Sequence, residues 1–244
     1  MRQLAIWDLA TRLFHWLLVA SVGLGYLVSS GRPTGAVFLV HVSCGYLVLL
    51  LLLFRLVWGF VGGEHARFAD FVRGPRAGLD YLKALAAGRA PRYLGHNPAG
   101  AAVILLMLAL LALIVVTGLL AEGVTGGAGP LSPLVPLAAA KSVGSIHKLL
   151  GNAIIVLAGL HVVGVLGESL LHRENLVAAM ITGRKRAESA AERNARPAPA
   201  WRAIGLVLVL GLLAAVMVLS TRLPPARPGT PAAAIAAGAA PVQR

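Results

Sequence analysis

Cysteine, acid and charge of either sign are scarce in this chain, and each scarcity excludes a class of protein. Cys44 is the single cysteine among 244 residues and lies inside an apolar run. One thiol forms no internal disulfide, and without a Cys-x-x-Cys-His segment no c-type haem is covalently attached. Iron–sulfur clusters held by four thiolates are excluded in the same way. Asp and Glu number 9 against 22 Lys and Arg, and charged residues make up only 13% of the chain. A soluble domain carries about 25%. The net charge of +13 would suit a nucleic-acid binder, but such proteins line a soluble face with bases beside aromatics. Here aromatics are 6% and the bases fall in short connections between apolar runs, within a chain that is 58% hydrophobic. That pattern belongs to a membrane protein whose loops set its own orientation, and no nucleic-acid partner is expected.

A helix crossing a bilayer needs about 20 consecutive apolar residues. Five charge-free stretches meet this: Leu13 to Gly31, Pro33 to Phe54, Tyr93 to Ala121, Leu149 to Gly167, and Ala203 to Thr221. They predict spans over residues 13–31, 34–58, 99–121, 146–168 and 203–221. The fold class expected is therefore an all-α integral membrane protein: a four-helix transmembrane bundle, residues 1–186, plus a fifth C-terminal span. A sixth stretch, Gly123 to Ala140, is rich in Gly and Pro and reads as a loop. The first span follows Asp8 and ends without an A-x-A site, so it reads as a retained helix rather than a signal peptide.

Positive residues crowd the connection between spans two and three (Arg55 to Arg92) and that between spans four and five (Arg173 to Arg202). The other face carries few, among them Arg32, Lys141 and Lys148. This bias predicts a cytoplasmic N-terminus and a periplasmic C-terminus in a bacterial inner membrane. The cytoplasmic connections are expected to hold short surface helices at Ala77 to Ala87 and Glu174 to Ile181, followed by a basic linker over 187–202. The Ala/Pro/Gly-rich tail, 222–244, has little to bury and reads as disordered.

Ionisable residues inside a membrane mark functional sites by default. His15, His41, His147 and His161 fall within or at the ends of spans. Given the alternating direction of the spans, they sort by depth into an inner pair, His15 with His161, and an outer pair, His41 with His147. Residues 147 and 161 are 14 apart, about 21 Å along a helix, and face nearly the same side. One helix thus offers a ligand to each of two stacked centres. Two neutral imidazoles from facing helices suit a haem iron with both axial positions filled; zinc wants three or four protein ligands. Gly45, Gly151 and Gly164 lie three or four residues after a histidine, on its face, and leave room for a flat ring, although such glycines also serve helix packing.

The remaining candidates are more open. Arg12, one turn before His15, and Arg55, at the inner end of span two, either pair haem propionates or anchor the topology. His96 precedes Asn97, a plausible helix cap, and Pro98 at the first helical position; a propionate or quinone contact is open to it. His65 and His172 read as surface residues. Trp7, Trp16, Trp58 and Trp201 sit near span ends, as interfacial tryptophans do. The spans show no buried carboxylate of the kind a proton or cation path needs.

Several segments in order, WDLATRLFHW at 7–16, RLVWGFVGGEHARFADF at 55–71, GHNPAG at 95–100, TG at 117–118 and ENLVAAMITGRKR at 174–186, resemble the bacterial cytochrome b561 type, which includes the cytochrome b subunit of nickel–iron hydrogenases. The resemblance covers residues 1 to 186. It implies a four-helix bundle with two non-covalent b haems ligated from helices one, two and four, at positions matched by His15, His41, His147 and His161. It also implies electron exchange with the quinone pool and a redox partner. The fifth span lies beyond that core and, holding no histidine, carries no haem.

Together these readings point to a conduit passing electrons across the inner membrane between quinone and a periplasmic partner, a c-type cytochrome or a hydrogenase-like subunit. It would be an electron-transfer subunit of an oxidoreductase rather than a hydrolase or transferase. Two alternatives stand beside it: a self-contained oxidoreductase passing electrons from superoxide or another small reductant to quinone, and a non-redox transporter or assembly protein whose histidines move protons or metal ions.

Overall fold

A computed structural model describes residues 2–29, 34–121, 131 and 134–222, with the last helix's side chains described as far as Ala215. Arg32, most of the Gly-rich stretch after Ala121 and the tail from Leu223 lie outside the described residues. The order of elements is β1 (Gln3–Ala5), α1 (Leu9–Val28), α2 (Gly35–Val61), a 3-10 turn (Glu64–Ala66), α3 (Phe68–Phe71), α4 (Pro75–Ala86), α5 (Pro98–Ala121), α6 (Leu137–Leu171), α7 (Leu176–Thr182), β2 (Arg184–Arg186) and α8 (Ala200–Arg222). Two compact units divide the chain, the first ending at Ile204 and the second, from Gly205, holding most of α8.

Four helices, α1, α2, α5 and α6, are long and apolar enough to cross a membrane. Their apolar side chains are largely uncovered by protein: Leu170 is 80% exposed and Leu149 68%. In water such surface would be costly; against lipid tails it is not. The chain is a multi-pass membrane protein. Helix α8, expected as a fifth span, is an apolar helix whose described side chains run from Ala200 to Ala215.

Helix starts follow local chemistry. Asp8 caps α1 by accepting from the Thr11 N–H at 2.7 Å, and Asn97 caps α5 by accepting from Gly100 at 2.7 Å; each satisfies an orphan donor of a first turn. Asn175 does the same for α7 through Ala178. Helix α6 starts earlier than the sequence predicts, at Leu137 immediately after Pro136. The residues 137–140 are Leu-Ala-Ala-Ala, strong helix formers that the preceding Gly/Pro-rich run obscures.

Inside the first unit, α1 packs along α2, α5 along α6, and α2 against α5. Val48, Leu111, Val115 and Ile154 form a buried cluster at mid-bundle, joined by Leu18 and Val22 of α1. Among the described residues no equally close backbone approach brings α6 against α1 or α2; side chains bridge instead, as where the Tyr26 hydroxyl donates to Asn152 at 3.1 Å.

The end of the bundle that carries the N-terminus, the near end, is capped by structure the sequence did not announce. The fold is helical as expected, with one small addition, a two-stranded antiparallel ribbon that pairs Gln3 with Arg186 and Ala5 with Arg184. Gly183 makes the ribbon possible. Its φ of +80° ends α7, a conformation that favours glycine, and its carbonyl accepts from Ile6 and Trp7 at 2.8 and 3.1 Å. The segment after β2 is docked rather than loose: Ala195 donates to the Ala5 carbonyl, and Arg193 pairs with Glu64 at 2.7 Å. Beneath the ribbon, the Arg92 guanidinium reaches Glu174 at 2.8 Å and Glu192 at 3.1 Å, and Lys185, only 4% exposed, reaches Glu174 at 3.4 Å. Arg12 belongs to the same cap, its guanidinium donating to the Ile181 carbonyl at 2.5 Å.

Candidate haem-binding levels in the bundle

Helix spacing divides the bundle into two polar levels. On α6, His147 and His161 are 14 residues apart; on α2, His41 and Arg55 have the same separation. Fourteen residues rise about 21 Å and return to within about 40° of the starting face. Each helix therefore projects one polar group at a far level, away from the N-terminus, and one at a near level. Helix α1 adds His15 to the near level.

At the far level the two histidines face each other across the bundle. The rings of His41 and His147 have centroids 6.0 Å apart and planes at 87°. His41 Nδ1 lies 2.9 Å from the Gly25 carbonyl, and His147 Nδ1 lies 2.9 Å from the Ile114 carbonyl. A carbonyl only accepts, so both Nδ1 atoms carry a proton and Nε2 is the ring nitrogen that each histidine can offer as a ligand. Thr117 supports His147 at 3.3 Å. A β-carbon at Gly118 would stand 3.0 Å from His147 Cε1, so the absence of a side chain there lets the ring take its place.

This arrangement fits a bis-histidine haem. Metal–imidazole bonds of about 2 Å, with half a ring on either side, add to roughly the observed centroid spacing. Around His41 and His147, β-carbons at Gly45 and Gly151 would meet nothing within 4 Å, and the same holds at Gly164 beside the near-level His161. A flat macrocycle needs such open flanks.

The near level is less tightly drawn but richer in unsatisfied groups. Among the described residues, His15 Nδ1, Thr11 Oγ1, Arg12 Nε, Arg55 Nη1, Trp58 Nε1 and His96 Nδ1 are all buried without a hydrogen-bond partner. Buried polar groups are normally paired, so six orphans near one end of a bundle call for a polar ligand. His15 and His161 are close enough for their charges to interact. Arg55, 4% exposed, lies with its guanidinium 4.8 Å from the Phe68 ring centroid and 5.6 Å from that of Phe71. A buried guanidinium with an unused Nη1 suits a carboxylate such as a propionate. His96 packs between Trp7 and Phe71, at 4.7 and 4.6 Å between centroids. Burial, and then the charge of Arg55, push it down to about 3, so its imidazole is neutral.

Several expectations change. His65 is not a surface residue: it pairs with Asp70 at 2.8 Å and is 15% exposed. His172 has a buried Nε2. Trp58 and Trp7 are 2% and 9% exposed and belong to the core, whereas Trp16 and Trp201 are exposed as interfacial residues would be. The carboxylate missing from the sequence reading is Glu168. The apolar run ended at Gly167, but α6 continues to Leu171 and carries Glu168 seven residues beyond His161. It accepts from the Tyr81 hydroxyl at 3.2 Å and from the Asn97 side-chain amide. The seven-residue spacing was the available signal.

Residues 6–183 match the family described as prokaryotic cytochrome b561. The chain is 24% identical over 210 residues to a probable Ni/Fe-hydrogenase B-type cytochrome subunit of Rhizobium leguminosarum bv. viciae, covering 74% of this chain and 87% of that protein. A counterpart from Azotobacter chroococcum mcd 1 is 26% identical over 207 residues, with 73% and 86% covered. A probable Ni/Fe-hydrogenase 1 B-type cytochrome subunit of Escherichia coli strain K12 is 25% identical over 135 residues, 46% of this chain and 57% of that protein. No solved structure matches the chain. With its membrane helices and a family match over most of its length, the chain belongs to the prokaryotic cytochrome b561 family and is a membrane b-type cytochrome that transfers electrons.

Proposed function

We propose that the protein carries two b haems and passes electrons across the inner membrane between the quinone pool and a periplasmic redox protein. His41 and His147 hold the outer haem at the far level, and His15 and His161 the inner haem at the near level. Arg55, through its unpartnered Nη1, and Arg12, through its unpartnered Nε, would hold the propionates of the inner haem. Residues 1–186 form the di-haem domain, 187–202 a cytoplasmic basic segment, 203–221 a fifth span, and 222–244 a periplasmic tail. The N-terminus is cytoplasmic, as the positive residues of the near-end connections favour.

When bound, the haems supply one-electron redox chemistry between ferric and ferrous iron. The chain's own residues do the rest. Two backbone carbonyls fix the tautomer and angle of the outer imidazoles, the glycines leave their faces open, and the central apolar cluster keeps water from the space between levels. The relatives' names favour a hydrogenase as the periplasmic partner, with a c-type cytochrome as the other candidate of the same kind.

The opposed rings of His41 and His147, each anchored through Nδ1, carry this reading. A pyridine haemochrome assay on protein purified in mild detergent tests it. Two non-covalent b haems per chain are expected; a colourless protein from haem-sufficient cells overturns it.

A further inference from the structure

Glu168 is the one carboxylate that the described membrane-crossing helices place beyond a candidate ligand on that ligand's own face. It stands seven residues, about 10.5 Å, past His161 and only about 20° around the helix. His172, four residues further on nearly the same face, closes α6 at its near end and keeps a buried, unpartnered Nε2. The column His161, Glu168, His172 therefore runs from the near level to the helix end, where the loops meet solvent.

The surroundings of Glu168 come from three other elements. Tyr81 of α4 donates to one carboxylate oxygen at 3.2 Å, and Tyr93 packs on Tyr81 with centroids 5.8 Å apart. Asn97, immediately after His96, donates to the other oxygen. Lys185 of β2 is close enough to feel the charge, although its ammonium is already bonded to the Tyr93 carbonyl at 3.0 Å and paired with Glu174. Glu168 thus accepts two neutral hydrogen bonds and has no ion pair within 4 Å among the described residues. A carboxylate held for structure alone at a membrane edge would be expected to take its charge partner. One that keeps only neutral donors can give up and regain a proton without breaking the site.

We propose that Glu168 is the proton-exchanging group for quinone chemistry at the near level, a proposal that rests on the quinone reading above. Oxidation of one quinol breaks two O–H bonds. The two electrons pass one to each of the two ferric haems, each being reduced once, and the two protons go in turn to Glu168 and from it past His172 to the aqueous phase. The quinol leaves as quinone, and reduction runs the same steps backwards. Tyr81 and Asn97 orient the carboxylate and leave its protons exchangeable.

Haem-loaded protein in detergent, with a short-chain ubiquinol as reductant, provides the test, read as the rate at which the visible absorption of reduced haem appears. Glu168→Gln keeps the shape and one acceptor oxygen for the Asn97 amide, turns the other oxygen into an N–H that the Tyr81 hydroxyl can accept, and removes the exchangeable proton. It is expected to retain the wild-type haem content and the wild-type rate of haem reduction by dithionite, which delivers electrons without this proton transfer. Quinol-driven reduction should slow by about a hundredfold, lose its pH dependence and lose its solvent deuterium isotope effect. Glu168→Asp should restore part of the rate and the isotope effect. Wild-type kinetics with quinol in Glu168→Gln overturn the role of Glu168 and leave the quinone reading intact. Failure of the wild-type protein itself to react with quinol overturns the quinone reading, and the proton role with it.

Discussion

Val48 and Ile154 meet in one buried cluster at mid-bundle, and each stands midway between two polar groups of its own helix. Val48 is seven residues from His41 and seven from Arg55; Ile154 is seven from His147 and seven from His161. Two helices thus repeat the same pattern of polar, apolar, polar at two-turn intervals, and side chains seven apart share a face. The apolar layer separates the levels, so losing one should leave the other intact. His147→Ala is expected to lose the outer haem alone and His161→Ala the inner one, each falling from two haems per chain to one by pyridine haemochrome. Loss of neither haem in either variant would sink the ligand assignment.

The glycines predict opposite responses to added bulk. Gly118 is already in contact, since a β-carbon would sit 3.0 Å from His147 Cε1, and Gly118→Val should tilt that imidazole and lower outer-haem retention. Gly151 has open space beside it in the protein alone, so Gly151→Leu should fold with unchanged helicity by circular dichroism. The same variant should bind the outer haem poorly, because the leucine takes up the room a ring needs. Normal haem content in Gly151→Leu would show that this face is not a haem flank.

Arg55 predicts a change of sign between apo and loaded protein. Its charge is buried with one nitrogen unpartnered, and replacing a buried, poorly compensated charge by an apolar side chain is often neutral or stabilising. Arg55→Met should therefore melt no lower than the wild type when both are haem-free. With haem loaded it should lose inner-haem affinity, read as faster transfer of haem to an acceptor such as apomyoglobin. Equal transfer rates would remove Arg55 from the haem site.

Four of the five spans were legible because lipid demands long apolar runs, and the far-level pair was legible because a regular helix turns spacing into direction. His41 and His147 could be paired from residue numbers alone. The near end was not legible for equally physical reasons. Its ribbon is made of three-residue strands about 180 residues apart in sequence, too short to show alternation and too distant to signal pairing. Trp7 and Trp58 read as interfacial because they flank apolar runs, but the folded loops cover them. His96 and Glu168 gain their meaning from Trp7, Phe71, Tyr81 and Asn97, which converge only after the connections fold back.

The acidic residues of the cap fix how the protein should respond to pH. Burial pushes the Glu174 carboxyl up, but the hydrogen bond from Arg92 and the charges of Lys185 and Arg92 outweigh it and leave the group below its usual value of 4.5. Glu64 is held at about 2, first by its hydrogen bond from Arg193 and then by that from the Arg196 backbone. A carboxyl whose pKa is depressed on folding contributes stability that is fully present above its unfolded value and fades as pH falls toward the folded one. The ribbon and its docked segment should therefore loosen between about pH 4.5 and pH 2, while the membrane helices persist. Hydrogen exchange of residues 184–196 should accelerate through that window with the α5 and α6 amides still protected. At neutral pH, Arg92→Ala leaves Glu174 with Lys185 as its remaining charge partner and should destabilise the cap by about 1.5–3 kcal/mol, so the same amides should exchange faster there. Slow exchange in Arg92→Ala would mean that the cap is held by the ribbon and apolar contacts, and that the ion pairs contribute little.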